Sequence, residues 1–226
     1  MSEEFDPGRV VVVMYTLYQR SIEDQARARM AGRTIKSLTE AGYRVIVADS
    51  GFHKEFASVL QDCNVPRPKY FPLLNTGVHI NPVVLNAFSL GAEAVVWMEA
   101  EQDSAVPFIP AIAKPILDGK ADIAIRTTST TPSRDELELE LWLGPIAFSP
   151  AQAASIPQEG TYGDRREVLS WIFKAMLDGR RIQAVRDYHS QEADLEEVQR
   201  KTIVGRSFLN EIQAIRDFFT QVTLEN

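Results

Sequence analysis

Three acidic side chains fall within five residues at Glu99-Ala100-Glu101 and Asp103, directly after the apolar run Ala94-Val95-Val96-Trp97-Met98. Carboxylate oxygens are hard donors that suit Mg2+ or Mn2+, and such an ion would hold and neutralise a diphosphate. The competing reading is a solvated acidic turn behind a buried strand. A fourth acid, Asp49, closes another apolar run and is followed by Ser50 and Gly51. Its carboxylate would accept a hydrogen bond from a base N–H or a ribose hydroxyl, or would cap the helix that follows. His189, in Asp187-Tyr188-His189-Ser190-Gln191, would serve as a third metal ligand if neutral, or stand solvated in a loop. His53 and His79 have no comparable setting.

The elements around these residues alternate. Residues 9–15 form a continuous β-branched run, the pattern of a strand buried on both faces. A helix is expected from Ser21 to Ala41, with Ser21 as its N-cap and Gly42 at its end. Strand 43–48 leads to Asp49, and helix 54–61, strand 70–73, helix 81–90 and strand 94–98 follow. The rest reads as helix 109–117, strand 121–125, a Thr/Ser/Pro-rich loop at 127–134 and one or two strands within 136–148. Helix 165–177, stopped at Gly179, leads to strand 181–185, and residues 193–219 read as one or two amphipathic helices. Such alternation implies right-handed crossovers and a mainly parallel sheet, in which ligands bind at the carboxyl ends of strands. The loop after Met14, the Asp49 turn and Glu99–Glu101 would then share one edge.

Bulk composition narrows the function. A net charge of −7 argues against a general nucleic-acid binder, which needs a basic face. The acidic first nine residues do not read as a secretory signal, and the apolar run at residues 10–14 is too short to cross a bilayer. Cys63 is the lone cysteine, so no internal disulfide forms and a reducing compartment fits. The expectation is a soluble cytoplasmic protein.

In its order of parts the chain resembles the GT-A fold nucleotide-sugar glycosyltransferases, especially the family 2-like and glycosyl-glycerate-synthase-like groups. The resemblance runs over residues 9–191 and rests on these segments. The opening strand through Tyr15 and the strand ending in Asp49 come first, then Asn75-Thr76-Gly77 before a helix. Glu99-Ala100-Glu101 stands where those enzymes carry Asp-x-Asp. Leu117-Asp118-Gly119-Lys120-Ala121-Asp122-Ile123-Ala124-Ile125 is similar to the segment after that motif. Gly144-Pro145-Ile146-Ala147-Phe148-Ser149 resembles the acceptor-side glycine turn, Tyr162-Gly163 through Glu167 a helix start with an acid, and Tyr188-His189 the late metal-binding histidine.

The resemblance implies a single GT-A-like domain over residues 1–190, α/β with a mainly parallel sheet flanked by helices. A C-terminal helical extension over 191–226 would pack on the domain or form a homodimer interface. It further implies a nucleoside-diphosphate sugar as donor, contacted by Tyr15, Asp49, Ser50, Gly77 and Glu99. Glu99, Glu101 and His189 would hold Mg2+ or Mn2+, the acceptor would be a small molecule or saccharide, and Asp164 or Glu167 would be the catalytic carboxylate. Three positions depart from the pattern. The acidic pair is Glu rather than Asp, the arginine expected after the strand following Asp122 is replaced by an early Arg126 with Thr127-Thr128 behind it, and Arg165 stands where many members carry an acid. Arg126 and Arg134 would close over a phosphate or an acidic acceptor, or stand solvated. The loop after the first strand lacks glycine, which opposes a dinucleotide-binding dehydrogenase, and no P-loop is present. The non-enzymatic alternative is a degenerate GT-A domain that binds nucleotide sugar or serves as a scaffold.

Overall fold

The computed structural model describes residues 5–16, 22–49, 54–65, 76–127, 145–153, 156 and 166–186. Six strands form one sheet: β1 (Val10–Thr16), β2 (Arg44–Asp49), β3 (Ala94–Trp97), β4 (Ile123–Thr127), β5 (Ile146–Phe148) and β6 (Ile182–Arg186). Their order is β2-β1-β3-β5-β4-β6. All neighbours run parallel except β5, which lies antiparallel between β3 and β4.

Period-2 alternation sorts the strand residues into two cores. Val45, Val12, Val96, Ala147 and Ala124 are cross-strand partners in one row, all facing the same layer of helices. The next row, Ile46, Val13, Trp97, Ile146 and Ile125, faces the other layer. The first layer holds α1 (Ile22–Glu40), α2 (Lys54–Asp62) and α4 (Ile109–Leu117), which contribute Ile35, Leu38, Phe56, Leu60 and Ile112. The second holds α3 (Thr76–Ser89) and α6 (Arg166–Leu177), with Val84, Ala87, Trp171 and Ile172. A four-residue α5 (Pro150–Ala153) follows β5. Each fully buried Val or Ile stabilises by about 1.5–3 kcal/mol, so a strand such as β1 is fixed by its neighbours on both faces.

Helix ends follow the sequence signals. α1 stops where Gly42 adopts φ +84°, and Gly42 N–H and Tyr43 N–H close back on the carbonyls of Thr39 and Leu38. An added Cβ at Gly42 would also approach Pro7 Cγ at 3.3 Å.

Several expectations shift. α3 begins at Thr76, five residues before the expected start, so Gly77 lies in its first turn and Pro82 inside it. Asn81-Pro82 carries the residue types of a helix start, which is what misplaces the boundary. β4 runs through Thr127, the residue expected to open the loop. A 3-10 helix, Asp103–Phe108, had no counterpart in the sequence reading. Within 136–148, Ile146–Phe148 is strand, and the rest of that stretch up to residue 144 lies outside the described residues. So do the expected strand at 70–73, the loop at 128–134 and the helices at 193–219. Among the described residues no helix is long and apolar enough to cross a membrane.

Candidate functional site

The chain leaves β1 through α1 on one face of the sheet, and leaves β2 for β3 with α3 on the other. The strand order therefore reverses at β1, and in open α/β sheets ligands bind outside the carboxyl ends of the strands at such a reversal. Asp49 and Thr16 are cross-strand partners at this edge. Thr16 is 2% exposed and Asp49 7%, and the Thr16 hydroxyl donates to Asp49 Oδ1 at 3.0 Å. A buried carboxylate oriented this way is a fixed acceptor at the carboxyl end of β2. Tyr15, half-buried, pairs with Ala48 just beneath.

On the other side of β1, Met98 N–H donates to Val13 O, extending the parallel register past the end of β3. Glu99 follows and opens a turn that Gln102 N–H closes on Glu99 O at 3.3 Å. Ala100 is buried in the α1 layer, and the two glutamates flank it. Glu101, with a side chain only 13% exposed, receives Arg27 from α1: Nε and Nη2 both lie 2.9 Å from Oε1. Arg27 is 44% exposed. The 3-10 helix beyond the turn packs on α1, and Arg126 at the end of β4 places its guanidinium carbon 5.8 Å from the Phe108 ring centroid.

The structure therefore brings Tyr15, Asp49, Glu99 and Glu101 to one sheet edge. Gly77 lies in the first turn of α3 and Glu167 in that of α6. Ser50, Asp164 and His189 lie outside the described residues. Asp103 sits exposed in the 3-10 helix. Among the described residues no three His, Cys, Asp or Glu side chains gather as a metal-holding group.

The sequence reading missed two participants. Thr16 is the last residue of β1, one past the run read as strand, and its pairing with Asp49 follows once β1 and β2 are set in parallel register. Arg27 is one of several arginines along α1, and no local spacing links it to Glu101, 74 positions away.

No protein-family model matches the sequence, and none of the curated proteins does. Solved structures match across most of the chain. Glucosyl-3-phosphoglycerate synthase from Mycobacterium tuberculosis, in complex with Mn2+, uridine diphosphate and glucosyl-3-phosphoglycerate, superposes with a TM-score of 0.57 at 15% identity, over 90% of this chain and 79% of that one. A cytidylyltransferase from Leptospira borgpetersenii serovar Hardjo-bovis gives a TM-score of 0.58 at 9% identity, over 81% and 78%. CMP:2-keto-3-deoxy-manno-octonic acid synthetase complexed with CTP gives 0.54 at 12%, over 89% and 99%. At these identities the likeness speaks to architecture: the chain has the GT-A-like fold that glycosyltransferases and nucleotidyltransferases share.

Proposed function

We propose that the carboxyl edge of the sheet binds a nucleoside-diphosphate sugar and that the protein transfers the sugar to a small-molecule or saccharide acceptor. The observation that carries this reading is the placement of Asp49, held by Thr16, at the carboxyl end of β2 and of Glu99 and Glu101 just past the end of β3, on either side of β1 where the strand order reverses. In this role Asp49 accepts from the base or ribose, and Tyr15, Ser50, Gly77 and Glu99 contribute to the donor pocket. Asp164 or Glu167 faces the acceptor, as a general base in an inverting reaction or a hydroxyl ligand in a retaining one. Residues 1–190 form the transferase domain and 191–226 a helical extension that packs on it or on a second copy.

Glu99 and Glu101 supply the hard oxygens that suit Mg2+ or Mn2+, with His189 as the further ligand. The ion, when bound, would stabilise the charge of the departing nucleoside diphosphate. Glu101 Oε1 already carries a guanidinium, so a cation is received there only as Arg27 moves away.

The glucosyl-3-phosphoglycerate synthase structure holds Mn2+ and uridine diphosphate, which supports the donor class. A thermal-shift screen of UDP, GDP and ADP and their sugar conjugates, with and without Mg2+ or Mn2+, tests it. A ligand at a hundred times its Kd stabilises by about 2.7 kcal/mol. One nucleotide should raise Tm in the wild type and raise it by about half as much or less in Asp49→Asn at the same concentration. No shift with any of them would remove the donor-site reading and favour a scaffold.

A further inference from the structure

Glu101 of the acidic motif already holds a cation, the Arg27 guanidinium. Arg27 Nε and Nη2 both meet Oε1, at 2.9 Å each, where the carboxylate is 13% exposed and the guanidinium 44%. A guanidinium usually engages a carboxylate as a fork, one donor to each oxygen. Arg9 does so with Glu93, and Arg181 with Asp122, at the opposite end of the sheet. The Arg27 pair instead joins the helix that leaves β1 to the turn that leaves β3.

Its chemistry suits an anion carrying phosphates. A guanidinium stays charged at every working pH, and its planar set of donors matches phosphate oxygens. A hard cation on Oε1 would stand within about 4 Å of the same guanidinium, and like charges that close repel. The half-exposed Arg27 has room to leave, whereas the nearly buried Glu101 does not.

Resting on the donor-site reading above, we infer that Arg27 and a divalent cation are alternative occupants of Glu101, and that with Arg27 in place a nucleoside diphosphate binds through the guanidinium without metal. Glu101 is then a positioning residue for Arg27 in the metal-free state.

Calorimetric titration of the full chain with UDP, GDP and ADP, in EDTA and in Mn2+, and with Mn2+ alone, tests this on wild type, Arg27→Met and Arg27→Lys. The wild type should bind one of the nucleotides in EDTA. Arg27→Met should weaken that metal-free binding tenfold or more and bind Mn2+ alone at least threefold more tightly. Arg27→Lys, which keeps the charge without the fork, should fall between them in EDTA, and it carries the test if Arg27→Met does not fold. Nucleotide binding by the wild type that requires Mn2+, or metal-free binding and Mn2+ affinity unchanged in both variants, would overturn the inference while leaving the donor site standing. No nucleotide binding by the wild type in either buffer would remove the donor-site reading and this inference with it.

Discussion

The two ends of the sheet use arginine differently. At the amino ends of the strands, Arg9 spans both oxygens of Glu93, with Nε to Oε1 at 3.0 Å and Nη2 to Oε2 at 2.7 Å, joining the starts of β1 and β3. Arg181 spans both oxygens of Asp122 at 3.2 and 3.1 Å, and its backbone N–H adds a third bond at 3.0 Å, joining the starts of β4 and β6. These hydrogen bonds hold both carboxyls below the usual carboxylate range. At the carboxyl ends, Arg27 brings Nε and Nη2 to one oxygen of Glu101, and the Thr16 hydroxyl donates to Asp49 Oδ1. Forked pairs that tie strand to strand belong to the scaffold. In the proposed function the carboxylates at the opposite end, at the ends of β2 and β3, are the ones that meet the ligand.

If that division is right, substitutions at the two ends should separate binding from stability. The largest effect is expected from Asp49→Asn, which keeps an acceptor for the Thr16 hydroxyl but replaces one carboxylate oxygen by a donor. Loss of a hydrogen bond to a charged group costs about 1.5–3 kcal/mol, so nucleotide affinity should fall about 10- to 100-fold in calorimetry. Tm should change little. Asp122→Ala should do the reverse. Its removal strips three contacts from Arg181, and Tm should fall by about 5 °C with nucleotide affinity unchanged. Equal losses of binding in both variants would erase the distinction between the ends.

A pH series sharpens the same contrast. The folded Asp122 carboxyl lies below its unfolded value of about 3.9, so its stabilisation is complete above that value and is lost as pH falls through the folded one. Wild-type Tm should therefore drop below about pH 4, and Asp122→Asn should show a smaller drop over the same window when followed by circular dichroism. The smallest effect is expected from Gly42→Ala. A Cβ in the left-handed region costs about 1–2 kcal/mol, and the variant should lose that much stability in denaturant titration without altering ligand binding.

Much of this division was legible in the residues. The run Val10 to Tyr15 could only be a strand buried on both faces, Gly42 and Gly179 mark helix ends that the structure places at positive φ, and three acids at strand ends pointed to one edge. These are local patterns of period, cap and breaker. The antiparallel course of β5 was not legible, because three residues of strand carry no direction of their own until β3 and β4 pair with them. The early start of α3 was hidden by Pro82, which is tolerated inside the helix. The Arg27–Glu101 pair joins two segments with no common spacing, so only the packing of α1 against the turn after β3 reveals it.

Hydrogen–deuterium exchange with and without the nucleotide sugar that gives the largest thermal shift tests the central claim most directly. The account predicts slowed exchange in peptides covering the ends of β1, β2 and β3, the first turns of α1 and the Glu99–Gln102 turn, with the Arg9–Glu93 and Asp122–Arg181 end unchanged. Protection at that opposite end, with none at the Asp49–Glu101 edge, would contradict it.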